Sequence, residues 1–377
     1  MFSVAAEDVP VTAWKHLTSQ TGELPKAELG NQVAALIQDI DQDGYNDFVI
    51  ASYEKMAWFR YDPARQSWSR YLIEAGLPPG SLEAGGDFCD INGDGAPDVV
   101  MGAAWKGNGC LWWWENPYPH FAQNTPWKRH LIAKIGGQHH DQIFGDFTGE
   151  GKSQLVFWNN TTGELYLAHI PSDPTALWEP KVIARVPVKN GHAEGLAKAD
   201  INGDGKLDIV GGGWWFEHVK GDTFQAHPID PEYEQSRSAV GQLIKGGWPE
   251  VVLNSGDGVG PLRMYQWNGT NWVGRTLVEK MDNGHTLQIA DINGDGNLDI
   301  YAAEMYEPGP KDRCKSYIFY GDGKGNFRTE ILCTGIGSHE SKIGDLNGDG
   351  RMDILQKDFR HEHRVDVWLN QGAGTRK

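Results

Sequence analysis

Long apolar runs are missing from the 377-residue sequence. No stretch approaches the roughly 18 apolar residues that a membrane-spanning helix needs, and Met1 to Pro10 is too short for a complete signal peptide. No membrane span is expected. There is no basic run or Lys/Arg-rich stripe, so nucleic-acid binding has no electrostatic footing. A dinucleotide fingerprint is also absent, and NAD is not expected. Cysteine is scarce, at four residues. Cys314 and Cys333 nevertheless flank the turn Gly321 to Asn326 symmetrically, as a disulfide across a hairpin would require, with two free thiols as the alternative. A bridge there suits an oxidising compartment, so a secreted or periplasmic protein is expected.

The formal charge of -17 looks like a preference for cationic partners until the acids are located. Five short loops hold 16 of the 51 Asp and Glu residues, leaving 35 acids against 34 Lys and Arg. The excess is concentrated where a metal would sit. Elsewhere the chain is rich in turn formers and aromatics, with 48 Gly, 19 Pro and 16 Trp, a composition that favours strands and turns over helices.

The five loops read Asp-x-Asp/Asn-x-Asp-Gly-x-x-Asp and begin at Asp39, Asp90, Asp200, Asp291 and Asp345. An eroded sixth copy runs from Asp146 to Gln154, and a seventh position near Gly241 to Glu250 keeps its flanking strands only. Spacings of about 40 to 60 residues match four-stranded blades. The expected fold is all-β, a seven-bladed β-propeller formed by residues 1–377 as one domain. Aromatic third strands (Trp58-Phe59, Trp112 to Trp114, Trp214 to Phe216) precede fourth strands that start at Trp68, Trp127, Trp178, Phe224, Trp272 and Phe327. The C-terminal blade lacks its fourth strand, and Trp14-Lys15-His16-Leu17 resembles one. A strand at about 12–20 is therefore expected to complete that blade and close the ring.

Alternating carboxylates and amides bring hard oxygen donors to one point, which suits calcium. The expected ligands are Asp39, Asp41, Asp43 and Asp47; Asp90, Asn92, Asp94 and Asp98; Asp200, Asn202, Asp204 and Asp208; Asp291, Asn293, Asp295 and Asp299; and Asp345, Asn347, Asp349 and Asp353. These are not EF-hands. Position twelve is Ile50, Met101, Gly211, Ala302 or Gln356, never the bidentate Glu, and strands replace the flanking helices. The expected role is structural, about five calcium ions tying loops to strands.

The repeat resembles the FG-GAP or VCBS repeats of integrin-type propellers, a likeness that implies fold and says little of function. A narrower resemblance rests on the segments ahead of the loops: Gly137-Gln138-His139-His140-Asp141, Asn190-Gly191-His192-Ala193-Glu194, Asn283-Gly284-His285-Thr286 and Gly337-Ser338-His339-Glu340. With Gly213-Trp214-Trp215 and Asn254 to Gly258, these are similar to the propeller domain of the aldos-2-ulose dehydratases. That resemblance implies removal of water from a keto sugar such as 1,5-anhydrofructose. The fungal enzymes continue into cupin-like domains that have no counterpart here, so no isomerase step is carried over.

The histidines also share a register. His140, His285 and His339 lie six residues before the first loop aspartate, as does Glu194, and His192 lies eight before. About five strand residues at ~3.3 Å each separate them from the calcium loops, so they gather at the opposite channel mouth. His140, His285 and His339 are expected to hold a transition metal, zinc or manganese. His139 or His192 is expected to shuttle the proton, with Glu194, Tyr53 and Lys55 beside them. Trp105, Lys106, Trp158, Trp214, Lys357 and Arg360 are expected to bind the sugar. The chemistry these groups suit is β-elimination, making a carbon-oxygen lyase. A polysaccharide lyase acting on uronates is one alternative. A non-catalytic carbohydrate-binding or adhesion propeller is the other.

Overall fold

A computed structural model describes residues 9–104, 109–189, 192–306, 313–360 and 362–373. Its strands form seven antiparallel four-stranded sheets, each contiguous in sequence except the last. The first six sheets start on Gln32–Gln38, Asp87–Cys89, His139–Gly145, Ala197–Ala199, Ser236–Gly241 and Thr286–Ala290. In the seventh sheet, Lys342–Gly344 and Asp353–Lys357 are followed by Val365–Ala373, which pairs outward with Thr12–Thr18 from the other end of the chain. The innermost strand of blade seven packs on that of blade one, closing the ring. The fold and the N-terminal closing strand are as expected from the repeat. A 3-10 turn at Pro231–Tyr233 lies between blades four and five. Among the described residues no helix is long and apolar enough to cross a membrane.

Seven apolar clusters hold the ring, one at each contact between neighbouring blades. Strand alternation explains them, since successive side chains point to opposite faces. In blade two, Val99 and Trp114 pack toward blade one, while Val100 and Trp113 pack toward blade three. Second strands such as Asp47–Ser52 and Gln154–Asn159 are consequently buried on both faces and read as nearly continuous apolar runs.

The loop acids have a second, metal-free function. Each ninth-position aspartate is fully buried and accepts backbone N–H groups on both oxygens. Asp98 takes Ile91 N at 3.0 Å and Asn116 N at 2.8 Å. Asp353 takes Leu346 N at 2.9 Å and Asn370 N at 2.8 Å. Asp47, Asp208 and Asp299 repeat the pattern. The bond to the loop survives where the ligand set is eroded: Gln154 Oε1 accepts Phe147 N at 2.8 Å, and Glu250 Oε2 accepts Ile244 N at 2.9 Å. A carboxylate oxygen has two lone pairs, so bracing and ligation are compatible. Asp98→Ala strands two buried N–H groups, each worth about 1–3 kcal/mol. It is expected to lower unfolding free energy by roughly 2–5 kcal/mol in urea titrations run with a chelator, where no cation contributes.

The two cysteines expected to bridge do not. All four thiols are free, and the hairpin register sets Cys333 opposite Ser316, with Cys314 two residues further along. Cys333 Sγ instead meets the Gln356 side chain.

Candidate functional site

The residues six and five places before each loop converge at one end of the channel. Blade five has lost its loop, but Glu250 stands in ninth place, which puts Ser236 and Arg237 at the same two positions. Arg237 is the hub. It is 5% exposed, and Nη1 donates to Asp141 Oδ1 at 2.8 Å and Glu340 Oε1 at 2.5 Å, while Nη2 donates to Glu194 Oε2 at 2.8 Å. Asp141 Oδ2 accepts the Gly195 N–H at 2.8 Å and lies 2.8 Å from His140 Nδ1.

Asp141 and Glu340 have φ of 50° and 54°, the left-handed region. The same register holds Gly85 and Gly195, where φ is also positive. At Gly195 a Cβ would lie 2.1 Å from the Ser236 carbonyl oxygen. Two blades thus put an acid in a left-handed conformation that two others fill with glycine, at a cost of order 1–3 kcal/mol each. Strain of this kind persists where surrounding contacts enforce it, here the shared guanidinium.

On the other side of Arg237, aromatic faces stack in series. The His339 ring lies between His285, 4.9 Å away at 19°, and Phe359, 4.6 Å away at 12°. The Arg360 guanidinium lies over the Phe359 ring at 4.5 Å, and Tyr53 meets that ring edge-on at 6.1 Å. Lys357 Nζ is fully buried, 2.8 Å from His339 Nδ1 and 2.7 Å from the Gln32 carbonyl oxygen that accepts its proton. His285 Nε2 contacts Asp257 Oδ1 at 2.8 Å.

Electrostatically the cluster divides. For His140, burial opposes the charged form, but Glu194 and Asp141 outweigh it and push the imidazole up to about 10. Burial drives His339 well below its ordinary value, with Lys357 adding to the effect. Lys357 is itself driven well below the usual amine range by burial, which the nearby acids only partly offset. Burial disfavours the Asp141 and Glu340 charges, yet Arg237 holds both carboxyls below the ordinary range. A charged imidazole and a neutral one therefore share one cluster. Glu83 adjoins it, its carboxyl raised by burial and bonded by Gln138 at 2.7 Å.

The site differs from expectation in several ways. His139 faces away from the channel, since the strand pairs regularly at His139 and His140 and its register shifts only beyond them. It is fully buried, its nitrogens 3.4 and 3.2 Å from the Trp158 and Gly109 carbonyls, and burial lowers it to about 4. It cannot shuttle protons to the channel. Trp158 is also fully buried, donating to the Gly195 carbonyl at 3.0 Å, so it supports the site from beneath and stacks on no sugar. Lys357 binds His339 in place of substrate. Lys55 sits at an exposed turn closed by Ser52. Trp214 is half-buried against the contact of blades three and four. His192 is half-buried, with Nδ1 enclosed and unpartnered. Trp105 and Lys106 lie outside the described residues.

The zinc or manganese centre is not assembled. Among the described residues, His140, His285 and His339 form no group whose ligand atoms approach within 4.8 Å of one another, as Asp39, Asp41 and Asp43 do. His285 and His339 stand face to face, so their nitrogens point along parallel planes and share no common point. One nitrogen of each histidine is already committed, to Asp257, Lys357 and Asp141. The residues present do not fit that metal. The loop donors, by contrast, are hard oxygens suited to calcium.

Below the cluster the channel holds a cavity of about 290 Å³ bordered by Asp87, Gln142, Lys198 and Lys342. Beside it, between blades four and five, a cleft of about 550 Å³ is lined by Tyr233, Ser255, Asp257, Val259 and Arg263. Asp257 joins this cleft to His285.

Comparison with known proteins agrees on architecture. The family model for the FG-GAP-like repeat matches residues 39–101 and 247–302, so the chain carries FG-GAP repeats. Among solved structures it is similar to an Agrocybe aegerita lectin that recognises non-reducing terminal N-acetylglucosamine, at TM-score 0.55 and 18% identity, over 81% of each chain. It is similar to YCF48 from Cyanidioschyzon merolae at TM-score 0.54 and 13% identity, over 95% of this chain and 98% of that one. An ancestral GH74 enzyme aligns at TM-score 0.54 and 11% identity, over 91% of this chain and 57% of that one. No curated protein matches. At these identities the likeness is one of fold.

Proposed function

We propose that this propeller is a carbohydrate-active lyase that removes water from a carbonyl-bearing sugar by β-elimination at the Arg237 cluster. The observation that carries the reading is one buried cluster in which Lys357 Nζ lies 2.8 Å from His339 Nδ1, both driven toward their neutral forms by burial, while Glu194 and Asp141 hold His140 toward its charged form. Pairs of titratable groups whose surroundings push them apart are how one site supplies both base and acid. A neutral Lys357 accepts Nδ1–H of His339 and donates to the Gln32 carbonyl, which leaves His339 Nε2 as a bare acceptor. That nitrogen takes the proton next to the sugar carbonyl. The C–H electrons form the new double bond, the β-oxygen leaves, and the His140 imidazolium protonates it to water. Arg237 stabilises the charge on the enolate. The cleft at Asp257 has the volume of a small-ligand site. A lectin and a GH74 enzyme sharing the fold add support for a sugar ligand. Calcium in the intact loops is proposed to be structural.

The test is to incubate the protein with 1,5-anhydrofructose and with uronate glycans while following ultraviolet absorbance of the unsaturated product. Turnover of the keto sugar is expected, with His339→Gln slower by roughly 10²–10⁴-fold, the usual worth of a positioned base. Turnover confined to uronates would replace the reading with a polysaccharide lyase. Sugar binding without turnover would reduce it to a lectin-like propeller.

A further inference from the structure

The five acidic loops differ at one position. The third residue is Asp41 in blade one and Asn92, Asn202, Asn293 and Asn347 in the others. Each asparagine is bonded into its own loop, Oδ1 accepting the N–H of the fifth-position aspartate at 3.0, 3.1, 3.0 and 2.9 Å respectively. Asp41 does otherwise. Its oxygens are buried and accept none of the loop N–H groups. Its partner is the Arg60 guanidinium, whose Nε contacts Oδ2 and whose Nη2 lies 3.8 Å from Asp43 Oδ2. One tethered cation therefore spans the third and fifth ligand positions.

The placement is specific to this blade. Arg60 precedes Tyr61, whose N–H is held by the ninth-position Asp47. The equivalent residues, each preceding the third-strand N–H held by the ninth aspartate, are Glu115, Glu217, Tyr320 and Leu369. None is a cation. Glu217 accepts Asn202 Nδ2 at 3.1 Å, so in blade four too this strand position reaches the third loop residue, with the polarity reversed. In blades four and seven a loop cation also meets a ligand, Lys206 Nζ to Asp204 Oδ2 at 3.1 Å and Arg351 Nη2 to Asp349 Oδ2 at 2.5 Å, but each pairs with the fifth position alone and leaves the third-position amide bonded into its loop.

We infer that Arg60 is a built-in cation that holds the loop of blade one in place of calcium, so that tight calcium binding is confined to the other four loops. Calcium needs six to eight oxygens, and in blade one it must either displace Arg60 or forgo Asp41. Because the guanidinium is covalently tethered, it competes at a high effective concentration. The inference rests on reading the other four loops as calcium sites.

Calorimetric titration of chelator-treated, dialysed protein with calcium alone tests it. Four tight sites are expected in the wild type. Arg60→Met is expected to show five, or a fifth whose affinity rises at least ~10-fold once the competing charge is gone. Five equivalent tight sites in the wild type, or an unchanged count and affinity in the variant, would overturn it. Absence of tight sites from both proteins would overturn the calcium reading itself, a separate result. Should Arg60→Met not fold, Asp41→Asn/Arg60→Met reproduces the donor set of the other loops, and a count that stays at four there also overturns the inference.

Discussion

Arg237→Met is expected to cost at least about 3–5 kcal/mol of folding stability, the usual effect of removing one partner from a buried ion pair. Here one guanidinium serves three carboxylates, Asp141, Glu194 and Glu340, so the loss falls at or above that range. The pH dependence identifies the cause. In the wild type Arg237 holds the Asp141 and Glu340 carboxyls below their ordinary values. Their contribution is then complete above the unfolded-state range and is lost as pH falls through the folded one. Without Arg237 the largest influence opposing burial is lost, with His140 and, at Glu340, Lys342 remaining, so both carboxyls rise and the folded variant binds more protons than the folded wild type. The difference between wild type and variant should therefore be larger at pH 7 than at pH 5 by urea unfolding. Adding Asp141→Asn and Glu340→Gln to Arg237→Met should recover much of the loss. A difference independent of pH, with no recovery, would mean that packing and not charge is at stake. An apolar replacement of the whole cluster would be the cheaper way to fill the channel mouth. Keeping four charged groups and two left-handed acids there is costly for stability alone, and this argues that the cluster is retained for chemistry.

The fold was legible because a nine-residue loop recurs, and each copy fixes the register of its flanking strands. Even the exchange of the N-terminal strand could be read, from the missing outer strand at the other end. Counting back from the loops located His140, Glu194, His285 and His339 correctly at one mouth. The same count one residue later gives Asp141, Arg237 and Glu340, which were missed. Blade five has no acidic loop from which to count, so the blade that supplies the cation is the one whose register was hidden. Glu250 in ninth place was the available signal. His139 was misread by ignoring strand alternation, which holds between His139 and His140; the register breaks only after His140, at the left-handed Asp141, which is why that neighbour does share the mouth. Trp158 was misread because a second strand buried on both faces looks, in sequence, like any apolar run beside a site. The cysteine pair failed on register, as symmetry about a turn does not fix which residues of a hairpin stand opposite.

Turnover of a sugar substrate should follow a pH profile set by two histidines of one cluster. Activity requires His339 neutral, and burial together with Lys357 keeps its value well below that of an ordinary imidazole. The rate should therefore rise along an acid limb lying below the normal histidine range and reach a plateau before neutrality. It also requires His140 charged, and with its value near 10 the rate should fall only in strongly alkaline solution. His140→Gln should remove the alkaline limb and lower the plateau by roughly 10²–10⁴-fold, the span typical of general acid catalysis. His339→Gln should remove the acid limb. Lys357 touches no substrate in this scheme and acts by positioning, so Lys357→Met has a different signature. The acid limb should persist but move up toward the ordinary imidazole value, because on that limb the wild-type amine takes up a proton itself and its charge then disfavours the imidazolium. A merely structural lysine would lower the rate at every pH and leave the limb in place. An acid limb that stays unmoved in Lys357→Met, with His339 intact, would therefore remove His339 as the base and turn attention to Glu83, the other buried group whose proton affinity is raised at this mouth.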